Sequence, residues 1–158
     1  MNGPVVTAPP VLPAAGSPNS FGRSLRLVDG DLVFDGTGFA GISGLDNLSQ
    51  ALMLRILTPY GSDPVNTAYG LDVSQAFTQG LSRRMVQNMI QLNLVRTLAT
   101  DPRVDEVLDV VFDDDPNFPG GPAPASVHRN RLWQVAVTVQ TATAGTSTLV
   151  VDVDVSQP

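Results

Sequence analysis
Leu132-Trp133-Gln134-Val135-Ala136-Val137-Thr138-Val139-Gln140-Thr141 and, a few residues on, Thr148-Leu149-Val150-Val151-Asp152-Val153-Asp154-Val155 decide the fold class. In the first stretch Trp133, Val135, Val137 and Val139 fall on one side, and Gln134, Thr138 and Gln140 on the other. In the second, Leu149, Val151, Val153 and Val155 alternate with Asp152 and Asp154. Period-two patterning of this kind describes strands with one buried and one wet face. Ala144-Gly145-Thr146 between them makes the pair a hairpin. Val104–Phe112 reads as a third strand, with Leu108, Val110 and Phe112 on one face and Asp109 opposite.

Upstream the period changes. Leu48 to Leu57 reads as a helix apolar nearly all round, capped within Gly44-Leu45-Asp46-Asn47, and so as a buried helix. Arg83 to Ala99, capped by Ser82, places Met85, Val86, Met89, Ile90, Leu92, Val95 and Leu98 on one side, with Arg84, Gln87, Asn88 and Gln91 opposite. Pro102 disfavours a helical Asp101 and stops it there. A short helix is expected near Ser74–Thr78. Between Arg23 and Phe39, Asp-Gly pairs at 29–30 and 35–36 favour tight turns in a small hairpin or extended segment. The class is α+β: two main helices packed on a three-stranded antiparallel sheet. Residues 1–20 carry five prolines, which fix φ and remove donors, so they read as an extended, flexible arm before a single domain spanning 21–158. That arm is either a tail or a segment that orders on a partner.

Composition narrows the chemistry. The 158 residues carry a net charge of −6, with only 15% charged residues, against about 25% in average domains. Phosphate backbones are bound by clustered bases, and the sequence has no such cluster, so nucleic acid is not the expected ligand. All 9 bases are arginine, and Glu106 is the only glutamate; codon bias is the plainest account. The lack of lysine excludes Schiff-base and P-loop lysine chemistry. With no cysteine there are no disulfides or thiolate metal sites. No membrane span or secretory leader is legible, so the expected setting is cytoplasmic.

Little reads as catalytic. Asp113-Asp114-Asp115 lack the alternate spacing of a calcium loop and read as a solvated turn. His128, the one histidine, sits beside Arg129 in the proline-rich 113–130 loop and reads as a surface residue. No nucleophile elbow appears, and no carboxylate pair stands out as a glycosidase site. No cofactor or metal is expected. Asp101-Pro102-Arg103 differs: an acid and a guanidinium, two residues apart after a helix stop, are expected to face outward. Arginine's planar fork grips carboxylates or carbonyls.

With that motif in place the chain resembles the GPW/gene-25-like baseplate wedge family of contractile phage tails and injection systems. The resemblance runs in order from Gly30-Asp31-Leu32 through Gly44-Leu45-Asp46-Asn47-Leu48-Ser49-Gln50-Ala51-Leu52, Leu57-Thr58-Pro59-Tyr60-Gly61 and Tyr69-Gly70-Leu71. A helix then enters a Glu-Pro-Arg signature, here Asp101-Pro102-Arg103, followed by the strands. Two departures stand out: the signature acid is one methylene shorter, and Ser62-Asp63-Pro64 replaces a segment that often carries glutamate. The resemblance implies a structural baseplate component with no enzymatic role. Its implied partners are wedge proteins, the central spike or hub, tube proteins and the first ring of sheath subunits, in several copies with sixfold symmetry. Asp101, Pro102 and Arg103 would contact the wedge core bundle. The final strand, with Leu149, Val151, Val153 and Val155, would take a sheath strand at its edge, with Asp152 and Asp154 as gatekeepers. Two other readings stay open: a peptidoglycan-cleaving, lysozyme-like tail enzyme and a regulatory adaptor of the same fold.

Overall fold
A computed structural model describes residues 21–74, 80–122 and 132–154. The proline arm, most of the expected 74–78 helix, His128 and Val155 lie outside those residues. Within them the protein is α+β, with two long helices and several antiparallel sheets, one of them three-stranded.

The chain first forms three small ladders: β1 (Arg23–Leu25) with β6 (Gly41–Ser43), β2 (Leu27–Val28) with β3 (Asp31–Leu32), and β4 (Phe34–Asp35) with β5 (Gly38–Phe39). The small hairpin or extended segment expected from sequence is therefore a three-leaved module. Its hub is a ring of backbone bonds: Arg26 N–H to Ala40 C=O at 2.9 Å, Ala40 N–H to Val33 C=O at 2.8 Å, and Val33 N–H to Arg26 C=O at 3.2 Å. The first Asp-Gly turn forms as expected. Asp29 and Gly30 both have positive φ, 53° and 88°, as the turn that matches strand twist requires. The second turn centres on Gly36-Thr37, between β4 and β5, rather than on Asp35-Gly36.

Helix α1 (Gly44–Leu57) starts earlier than its apolar pattern suggested. It buries a single stripe, Leu48, Leu52 and Ile56, together with Asn47, and leaves Leu45, Met53, Leu54 and Leu57 exposed. The fully buried helix expected from its composition is corrected to a one-sided one. Asn47 and Gln50 tie α1 to the three-leaved module: Gln50 Oε1 accepts the Leu27 N–H at 2.8 Å, and Gln50 Nε2 donates to the Leu25 carbonyl at 2.9 Å. After α1 the chain turns at Thr58-Pro59, and Leu71 N–H donates to the Thr58 carbonyl at 2.8 Å. Gly70 makes that approach possible. At φ +110°, any Cβ on it would lie 2.5 Å from the Thr58 oxygen, nearer than real side chains come.

Helix α2 (Arg83–Leu98) buries Val86, Ile90, Leu94, Thr97 and Leu98. The sequence stripe was rotated from this. Met85, Leu92 and Val95 are exposed, while Leu94, outside the expected set, is completely buried. The sheet follows as β7 (Val104–Phe112), β8 (Leu132–Thr141) and β9 (Gly145–Asp154), antiparallel in the order β7-β8-β9. The β8–β9 ladder is unbroken from Leu132↔Asp154 to Thr141↔Gly145. The β7–β8 ladder slips twice, between Val104 and Glu106 and between Val107 and Asp109. Each slip shifts the alternation by one residue, so Leu108 is exposed rather than sharing a face with Val110 and Phe112. Side chains from both helices and all three strands form one core cluster.

Candidate interaction surfaces
Asp101 follows α2, and its backbone N–H donates to the Leu98 carbonyl at 3.0 Å. Its carboxylate is buried and gripped twice by Arg103, Nε to Oδ1 at 2.8 Å and Nη2 to Oδ2 at 2.7 Å. The Arg103 backbone N–H adds a bond to Oδ1 at 3.1 Å. Arg103 Nη1 reaches the Phe21 carbonyl at 3.2 Å, and Asn47 Nδ2 donates to the same oxygen at 2.8 Å. The motif is thus an internal clamp. It joins the end of α2, the start of β7, helix α1 and the chain at Phe21. The expectation that both charges face outward is corrected: Asp101 is turned inward and Arg103 is only 28% exposed. Pro102 is the exposed member.

The guanidinium bonds hold the Asp101 carboxyl below the usual carboxylate range, against the opposing effect of burial. The same bonds push the Arg103 pKa up. Burial is also the main cause that raises the Tyr69 phenol. The clamp engages three of the five N–H donors that an arginine side chain carries.

Among the described residues strand β9 pairs with one neighbour, β8, and stands at the edge of the sheet. Leu149, Val151 and Val153 point into the core, so the backbone that a partner strand would pair with belongs to the residues between them. Hydrogen-bond direction identifies which backbone groups are on offer. Gln134 turns its C=O to the Asp113 N–H at 3.0 Å and its N–H to Asp113 Oδ2 at 3.4 Å, away from β9. Bonding sides alternate along a strand, and a residue opposite a non-bonded partner is itself non-bonded there. Asp152 lies opposite Gln134 and Val150 opposite Ala136. Both therefore aim their N–H and C=O outward from the sheet.

A cavity of about 450 Å³ adjoins that edge, lined by Ile56, Leu57, Tyr60, Val73 and Val153, with Asp72 and Asp152 also on its wall. No family model matches the chain, and no curated protein or solved structure does either. Function therefore has to be argued from these surfaces.

The sequence reading missed one cluster. Asp113, expected in a solvated turn, is fully buried. Arg83 lies over the Trp133 ring at 4.8 Å, 3.6 Å from Asp113 Oδ1 and 3.2 Å from Asp114 Oδ2. Gln87 Nε2 also donates to Asp114, and Asp115 accepts the Asn117 N–H. Asp113 and Asp114 thus share Arg83, while Asp115 serves its own turn. Among the described residues no three potential metal ligands converge, and no helix is long and apolar enough to cross a membrane. Arg83 at the first turn of α2 and the acids that follow the next element, β7, were the only sequence hint, and nothing local pairs them.

Large apolar side chains also reach the surface. Phe34 and Phe39 pack at 4.6 Å across the β4–β5 leaf while remaining exposed. Leu57, Met85 and Leu92 are more than half exposed as well. Scattered apolar residues are ordinary on a surface, but here they accompany a low density of charge.

Proposed function
We propose that this protein is a structural, non-enzymatic baseplate component of a contractile tail or injection system. It links the inner wedge and hub to the first sheath ring and nucleates the sheath by accepting a partner's strand at β9. Assembly takes place in the cytoplasm, with six copies per particle. The observation that carries this reading is the outward N–H and C=O of Val150 and Asp152 on an edge strand ten residues long. Strand addition satisfies such groups and tolerates varied side chains. The opposite edge, β7, is interrupted by two irregularities, which discourage pairing. The ordered sequence resemblance to the baseplate wedge family supplies the identity of the partners. In this reading Pro102 and the remaining N–H donors of Arg103 meet the wedge bundle, while Asp101 fixes the arginine's orientation.

The test must leave the core intact. Removing residues 149–158 would take Leu149, Val151 and Val153 out of the core cluster, so that deletion confounds folding with attachment. Val150→Pro and Asp152→Pro instead remove only outward donors, and proline is tolerated on an edge where its nitrogen faces solvent. The doubly substituted protein is expected to fold, by circular dichroism, but to yield tubes without attached sheath when co-expressed with sheath, tube and spike proteins. Normally sheathed particles in electron micrographs would overturn the reading.

A peptidoglycan-cleaving role has one observation in its favour: Asp72 and Asp152 line the same cavity, and glycosidases need two carboxylates across a cleft. Incubating the purified protein with a cell-wall suspension separates the two. The structural role predicts no clearing. Clearing that Asp72→Asn or Asp152→Asn abolishes would establish the enzyme.

A further inference from the structure
We infer that the strand accepted at β9 carries a basic residue opposite Asp152 and a large apolar residue opposite Val153, the latter seated in the cleft beside Ile56 and Val73. This rests on the strand-addition reading and adds what selects the strand.

The alternation of β9 fixes the geometry. Asp152 is exposed on the wet face and Val153 is buried on the core face. A strand pairing with the outward groups of Val150 and Asp152 puts the residue opposite Asp152 on the wet face. Its neighbours in sequence fall on the core face. The neighbour opposite Val153 meets the 450 Å³ cavity at the end of α1, where Ile56, Leu57, Tyr60 and Val73 supply apolar wall. A pocket at alternate positions beside a strand edge is how strand addition acquires specificity.

Charge settles the other position. Asp152 and Asp72 both border the cavity, and the chain as a whole carries −6. A like charge directly across strands is unfavourable and an opposite one favourable. A basic–apolar pair in the incoming strand therefore satisfies the backbone, the cavity and the field together. The same acids act against an acidic strand, including another copy of β9, whose own Asp152 would face the same field.

The probe is a blocked peptide, Thr-Thr-Leu-Lys-Leu-Thr-Thr, which reads the same in either strand direction. It is compared by ¹H–¹⁵N NMR with versions carrying Glu for Lys or Ser for both Leu, added to the full-length protein at millimolar concentration. The parent peptide is expected to shift the amides of Val150 and Asp152 more than those of Val151 and Val153. The Glu version should bind about two- to fivefold more weakly, and the Ser version at least about tenfold more weakly. Asp152→Lys, an exposed change, should reverse the preference between the Lys and Glu peptides. Equal shifts at Val150 and Asp152 with all three peptides would overturn the selection while leaving strand addition standing. Absence of any shift at those two amides with every peptide would overturn strand addition and this inference with it.

Discussion
Arg103 closes on Asp101 across two residues of chain, one N–H to each carboxylate oxygen, at 2.8 and 2.7 Å. Its third contact, to the Phe21 carbonyl, joins residues 82 positions apart. A pair that looked from sequence like an outward hand is therefore a fastener first.

The fastener makes the consequence of its loss calculable. Arg103→Ala leaves a buried carboxylate without its main partner, and hydrogen bonds to charged groups contribute about 1.5–3 kcal/mol each. Allowing for the partial exposure of the arginine, a loss of about 2 kcal/mol is expected in urea unfolding. Arg103→Lys should recover part of it, since lysine offers a point charge and no fork. A stability change below about 0.5 kcal/mol, the range of ordinary surface substitutions, would contradict the clamp.

Acid should weaken the same contact. The Asp101 pKa is lowered from 3.8 by its bonds to Arg103. A carboxyl whose folded value lies below its unfolded one adds stability that is fully present above the unfolded value. That stability is lost as pH falls through the folded value. The wild-type protein should thus lose this contribution on acidification below about pH 4. Asp101→Asn should start less stable at pH 7 and lose less over that interval. Parallel acid limbs in the two stability profiles would exclude the assignment.

Helix α2 offers a comparison of two leucines. Leu94 is 0% exposed and Leu92 is 51% exposed. Leu94→Ala should cost about 2–5 kcal/mol, whereas Leu92→Ala should stay within about 0.5 kcal/mol. Chemical denaturation of both proteins decides which stripe faces the core; equal losses would mean that the helix is rotated from its described position.

Gly70 provides a backbone test. Its positive φ and the Thr58 carbonyl 2.5 Å from a would-be Cβ leave no space for alanine. Gly70→Ala should destabilise by at least about 1–3 kcal/mol, with the first losses of hydrogen-exchange protection at Tyr60 and Leu71, whose bonds cross this turn. An unchanged melting temperature would rule out the close approach.

Much of the fold was legible because regular elements write their period into the chain. The strands expected at 132–141 and 148–155 could be read from alternation alone, because nothing interrupts the β8–β9 ladder, although β9 begins earlier, at Gly145, and the turn falls at 142–144 rather than 144–146. The strand at 104–112 could not be phased. Its slips against β8 come from how two distant segments pair, and no property of Leu108 announces that it sits after one. The same limit applies to α2. Met85, Leu92 and Val95 form as good an apolar stripe on paper as Val86, Ile90, Leu94 and Leu98, so local pattern does not decide between them. Asp113 was misread for a related reason: its partners, Arg83 and Gln134, are far away in sequence.

The sequence by itself determined the class of fold, the places where helices stop, the edge position of the last strand as an expectation, and the chemistry that its composition excludes. Those follow from local periodicity, from proline and glycine, and from which side chains are present at all. Tertiary structure decided which way each face turned. It drew Asp101 and Asp113 inward, exposed a second stripe on each helix, and aimed the polar backbone of Val150 and Asp152 away from β8 beside an apolar cleft. Orientation depends on contacts between segments tens of residues apart, and a periodic pattern fixes which residues lie together without fixing what they meet.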